Sequence, residues 1–108
     1  MTARTAPSLR GLELRYALVL VLVDAGRPIS VAELARALER RGFRIAGRPG
    51  KVISDALRWE VRRGRVDRVG LDRYRRGRLA RSTLHRMRHR IAGLGHPCPG
   101  LGLDSDAA

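Results

Sequence analysis

Pro49-Gly-Lys-Val-Ile-Ser-Asp-Ala-Leu-Arg-Trp-Glu-Val-Arg-Arg-Gly64, followed at once by Arg65-Val-Asp-Arg-Val-Gly-Leu-Asp-Arg-Tyr-Arg-Arg-Gly77, is the stretch that decides the fold. Its first half has a helical period. Ile53, Leu57 and Val61 recur every four residues with Ala56 beside them, which predicts a helix over about 49–63, closed by Gly64, with those residues inward. Lys51, Asp55, Arg58 and Arg62 share a different, polar face, and Ser54 lies next to it. After Gly64 the period changes. Residues 66–69 and 73–76 read as two short strands around Gly70-Leu71-Asp72. Val66 and Val69 do not share strand parity, so the hairpin is expected to carry a three-residue loop or a bulge.

Upstream, 12–25 reads as a helix. Val19, Val21 and Val23 are β-branched and would suit a strand. Length favours the helix, as do Gly26 as a stop and Pro28 just beyond it. The apolar run 16–23 makes this helix the buried centre. Arg27-Pro28-Ile29 is a short extended link. Ser30-Val-Ala-Glu33 is a capping box that opens a second helix over 31–41, stopped by Gly42. Its apolar stripe is Leu34, Ala35 and Leu38, with Glu33, Arg36, Glu39 and Arg40 facing out. Residues 43–50 read as a loop with Gly47, Pro49 and Gly50 as turn formers. A fourth helix is expected from Ser82 to near Gly93. Residues 1–9 read as a flexible arm, 10–78 as the domain, 79–94 as a basic amphipathic helix and 95–108 as a disordered tail.

The chain has 108 residues, enough for one small domain. Lys plus Arg is 23 against 10 Asp plus Glu, a formal net charge of +13. That excess points to a polyanionic partner. Lys51 is the only lysine, a ratio that GC-rich codon usage also produces, but codon usage does not explain the imbalance of signs. The longest apolar run falls far short of the roughly 20 residues a membrane helix needs, and no signal-peptide pattern opens the sequence. A single cysteine, Cys98, excludes an internal disulfide framework and suits a reducing compartment.

Three helices, the third with a basic face, followed by a basic hairpin describe a mainly α fold with a small β-hairpin: a winged helix, with an additional C-terminal helix. Residues 26–34, 53–64 and 68–74 (Gly26-Arg-Pro-Ile-Ser-Val-Ala-Glu-Leu34, Ile53 to Gly64, Arg68-Val-Gly-Leu-Asp-Arg-Tyr74) carry a resemblance of Arg15 to Gly77, about sixty residues by sequence span, to the winged helix-turn-helix superfamily. More narrowly the chain resembles the HARE-type helix-turn-helix domain of the bacterial RNA polymerase delta subunit, of some restriction systems and of chromatin proteins. The family's functions divide between DNA binding and protein contacts. The arginine-loaded hairpin is not a general feature of that family.

An α-helix fits the B-DNA major groove, where base edges differ in donors and acceptors. Lys51, Ser54, Asp55 and Arg58 occupy the first turns of the third helix. Arg58 suits a bidentate pair with guanine. Asp55 suits cytosine, or holds Arg58 or Lys51 in place. Arg48 and Arg62 flank the helix and suit phosphates. The N-terminus of the second helix, at Ser30 and Val31, is expected to offer free amides to a phosphate. Arg68, Arg73, Arg75 and Arg76 on the hairpin suit the backbone or a narrow minor groove. The reading is a bacterial, cytoplasmic, nucleoid-associated protein that binds double-stranded DNA, as a transcription regulator or chromosome-associated factor. The alternatives are an interaction module, such as an RNA polymerase accessory domain, and a basic RNA-binding protein.

Trp59 reads as a packing residue against the wing or second helix. Leu84, Met87 and Ile91 on the fourth helix suit either packing on the first helix or a homodimer; the first helix is a second candidate for such an interface. His85, His89, His96 and Cys98 have zinc-compatible chemistry, but flanking arginines repel a cation, so no metal or other cofactor is assigned. No catalytic residue is assigned either: there is no phosphate-cradling Gly-rich loop and no nucleophile with a base partner.

Overall fold

A computed structural model describes residues 8–94. The expected tail at 95–108, with His96 and Cys98, lies outside the described residues, as do positions 1–7 of the expected arm. The elements follow in the order β1 (Ser8–Leu9), α1 (Gly11–Ala25), β2 (Ile29–Ser30), α2 (Val31–Arg40), β3 (Arg44–Ile45), α3 (Pro49–Arg62), β4 (Val66–Gly70), β5 (Arg73–Arg76) and α4 (Arg81–Ala92). The fold is mainly helical, with four helices and a small antiparallel sheet among the described residues.

α1 is the axis of the core. Residues 17–22 are all buried, and a helix apolar on every side must be covered on every side. It contacts α2, α3, α4 and β5. Gly26 ends it at φ 66°, the left-handed position glycine adopts without a Cβ penalty. Leu34 and Leu38 of α2 and Ile53 and Leu57 of α3 are fully buried beside it. The α2 stripe is turned slightly from the expected one, with Ala37 buried and Ala35 only half-buried. Met87 and Ile91 of α4 join the same core, so this helix packs on its own domain. A homodimer through the apolar faces of α4 or α1 would have to unpack them.

Three short strands went unread in the sequence. Ser8–Leu9 is no flexible arm: it pairs in parallel with Arg44–Ile45, and Leu9 is fully buried. The expected 43–50 loop therefore contains a strand, and Phe43 before it is buried. Ile29–Ser30 is a strand as well as a link. It pairs antiparallel with β5, Ile29 opposite Tyr74 and Ser30 opposite Arg73, and makes a three-stranded sheet in the order β2-β5-β4. Two-residue strands carry no readable period, and their partners lie tens of residues away.

The hairpin follows its sequence closely. Val66, Asp67 and Arg68 pair with Arg76, Arg75 and Tyr74, but Gly70 pairs with Arg73, so Val69 is the extra residue of a bulge. The base of the hairpin is closed by Gly77, whose N–H donates to the Arg65 carbonyl at 2.8 Å. A Cβ on Gly77 would run into the Gly64 carbonyl oxygen, so the approach requires glycine.

Candidate nucleic-acid interface

The polar face of α3 is built by the phase of its apolar face. Ile53, Ala56, Leu57 and Glu60 point inward. Val61, expected inside, is 37% exposed. The inward position one turn after Leu57 belongs instead to Glu60, which is fully buried and holds two arginines. Arg65 Nε and Nη2 donate to its two oxygens at 2.7 and 3.2 Å. Arg15 Nε, from α1, lies 3.2 Å from Oε2 as an ion pair but without the alignment of a hydrogen bond. The Glu60 hydrogen bond holds Arg65 charged even beyond its ordinary strongly basic range. This triad fixes α3 against α1 and the start of β4.

The opposite face carries the expected recognition residues. Lys51 and Arg58 are exposed, and Asp55 stands between them. Lys51 Nζ donates to Asp55 Oδ2 at 3.1 Å, and Arg58 Nη2 stands 4.0 Å from Oδ1. Asp55 thus pairs with Lys51 at the surface and has Arg58 at the edge of contact. Ser54 is half-buried on the same flank. Arg48, the N-cap residue of α3, has no side-chain cap bond and is exposed. Arg62 leans on Trp59, its guanidinium carbon 5.7 Å from the ring centroid, and Arg15 approaches the same ring at 5.6 Å. Trp59 is therefore a half-exposed ring between two arginines.

A cleft of about 600 Å³ runs between α2 and α3. Small residues, Ala32, Ala35, Pro49, Gly50 and Ser54, line it together with Arg36 and Asp72. The helix amides expected to receive a phosphate at Ser30 and Val31 are already engaged. Ser30 N–H donates to Glu33 Oε1 at 3.0 Å, Glu33 N–H to Ser30 Oγ at 3.1 Å, and Val31 N–H to the Asp72 carbonyl at 3.3 Å. Ser30 caps α2; its amide is not free for a ligand. The Ser30 backbone bond, aided by its hydroxyl and by Arg27 and Arg73, holds the Glu33 carboxyl below the ordinary carboxylate range.

The four wing arginines do not form one patch. Strand pairing puts Arg68 and Arg76 on the Tyr74 face, and Arg73 and Arg75 on the other. Arg75 Nε lies 4.0 Å from Asp67 across the ladder. Arg68 folds over the tip and donates to the Gly70 and Leu71 carbonyls at 3.2 and 2.8 Å. That grip holds up Leu71, a residue sequence reasoning passed over although it is an apolar side chain in a turn. Leu71 is 87% exposed.

No family model, no curated protein and no solved structure matches the chain.

Proposed function

We propose that the chain is a winged-helix protein that binds double-stranded DNA, with α3 in the major groove and the β4–β5 wing on the backbone or in the minor groove. The observation that carries the reading is the outer face of α3. Over its length it presents Lys51, Ser54, Arg58 and Arg62 to solvent, and the core behind it is closed by Glu60 and Leu57. Asp55 pairs with Lys51 and stands 4.0 Å from Arg58 on that face, and an acid there suits base edges better than phosphates, which repel it. Arg73 and Arg75 supply backbone contacts from the outer face of the wing. The order of helices, the strand Ile29–Ser30 completing the sheet and the net charge of +13 fit the same arrangement. The biological role that follows is transcription regulation or chromosome association in a bacterial nucleoid, with no catalytic chemistry assigned.

Fluorescence anisotropy with random duplex DNA across a salt series tests it. About six phosphate contacts give a slope of log affinity against log salt near −5. No duplex binding at low salt overturns the reading.

A second reading, a protein-docking module such as an RNA polymerase accessory domain, is favoured by Trp59. Trp59 is 50% exposed beside Arg15 and Arg62, while Val61, 37% exposed, lies on the other flank of α3. Apolar surface beside Arg15 and Arg62 suits a protein partner with an acidic rim.

A further inference from the structure

A cavity of about 380 Å³ opens between the C-terminal end of α1 and the outer face of α2. Val21, Ile29 and Ala37 are among the residues that line it, and four arginines, Arg27, Arg36, Arg40 and Arg41, stand around it with Asp24 and Glu33. The two acids are already occupied. Asp24 accepts from Arg41 at 3.0 Å and from Arg88 at 3.1 Å through its two oxygens. Glu33 closes the α2 cap and stands 3.9 Å from Arg27. Asp24 holds Arg41 in place, Glu33 stands at the edge of contact with Arg27, and the two acids do not neutralise the four arginines. Arg36 and Arg40 lie one helical turn apart and have no acidic partner among the described residues. Like charges at this spacing repel.

We propose that this cavity is a phosphate-binding site in which Arg36 and Arg40 grip the ligand and Arg27 and Arg41, the latter pre-positioned by Asp24, complete the ring. Guanidinium forks match phosphate oxygens pairwise, and a group with several oxygens can engage more than one fork at a time. A concave wall focuses the field of the four cations more than a convex helix surface would. The volume lies in the range of small-molecule sites and exceeds a single phosphate, so a pyrophosphate or nucleotide phosphate chain fits. Arg36 also lines the cleft between α2 and α3. The phosphate can therefore belong to a free phosphorylated molecule or to a DNA backbone passing that cleft. The site does not depend on the DNA-binding proposal.

The experiment is calorimetric titration of the full chain with sodium pyrophosphate at constant ionic strength. One saturable site is expected. Arg36→Ala with Arg40→Ala should weaken it by at least about tenfold, since two charge-assisted contacts are lost. The charge-matched control, Arg78→Ala with Arg81→Ala, removes two exposed arginines elsewhere and should leave it unchanged. Thermal melting checks that both double variants fold. Absence of saturable binding, or equal losses in the two double variants, overturns the proposal, because the charge would then act diffusely. Duplex DNA identifies the source. Competition between DNA and pyrophosphate, with a shallower salt slope in the Arg36/Arg40 variant, supports the site with a backbone phosphate as its ligand. Pyrophosphate binding that persists on the DNA-bound protein supports it with a free phosphoanion. Pyrophosphate binding in a protein that never binds duplex DNA keeps this site and removes the DNA reading.

Discussion

Glu60 and Asp55 sit five residues apart on α3, and each stands between two basic side chains. Glu60 is fully buried between Arg15 and Arg65; Asp55 is half-exposed between Lys51 and Arg58. The same composition serves opposite ends. Around Glu60, two arginines with side chains only 17% exposed cannot regain water if their partner is removed, so the triad locks three elements together. Around Asp55, water competes with every contact, so the pairing biases side-chain positions and contributes little to stability. Burial, not charge pattern, separates a structural acid from one that shapes a binding face.

Glu60→Ala is expected to have the largest effect. It leaves two mostly buried guanidinium groups without a counter-charge and should cost about 3–5 kcal/mol in urea unfolding. A loss below about 1 kcal/mol would show that Arg15 and Arg65 swing out to water, and the contrast with Asp55 would collapse.

Substitutions in the candidate interface come next. Arg58→Ala should cost about 1–3 kcal/mol of binding at a preferred DNA site and less on random duplex. Arg73→Ala should weaken all duplexes nearly equally and reduce the salt slope by about one contact. Equal, sequence-independent losses from both would mean that the Asp55-ordered face does not read bases.

Glu33 is an intermediate case, half-buried and bonded to a cap. Ser30→Ala should destabilise by about 0.5–2 kcal/mol near neutral pH. The folded carboxyl titrates below its ordinary range, so the unfolded chain takes up the proton first as pH falls. The ionised cap's contribution is complete above the ordinary glutamate value of about 4.3 and is lost as pH drops through the lower folded value. The gap between wild type and Ser30→Ala should therefore narrow in acid. A gap independent of pH would remove Glu33 from the cap energetics.

Asp55→Ala should change stability least, by no more than about 1 kcal/mol. Its signature is in binding: random duplex should be held more tightly, because a repelling charge has gone, while preference between sequences declines as Lys51 and Arg58 lose their positions. Unchanged preference, measured by competition between selected and random duplexes, would make Asp55 a bystander.

Much of this fold is legible in the amino-acid sequence, because local rules dominate it. The period of Ile53 and Leu57, the Ser30–Glu33 box, the glycine stops and the parity break at Val69 each depend on residues within a few positions of one another. Sequence reasoning fails where a partner lies far along the chain. Leu9 is buried only because residues 44–45 pair beside it, and Ile29–Ser30 become a strand only because β5 arrives there. Val61 and Glu60 exchange places for the same reason. Hydropathy puts the valine inside, but the arginines that make a buried glutamate tolerable come from α1 and from the start of the wing.

The sequence by itself determined four helices, a bulged basic hairpin and a large positive charge, since period, punctuation and composition are properties of neighbouring residues. The tertiary structure alone decided which charges are engaged. It closed the Ser30 and Val31 amides, divided the wing arginines between two faces, set α4 on α1 and left Arg36 and Arg40 at the edge of a cavity without an ion-pair partner among the described residues. Those outcomes rest on distances of a few ångströms between residues far apart in the chain, and Coulomb and hydrogen-bond energies depend on that distance and on exposure to water.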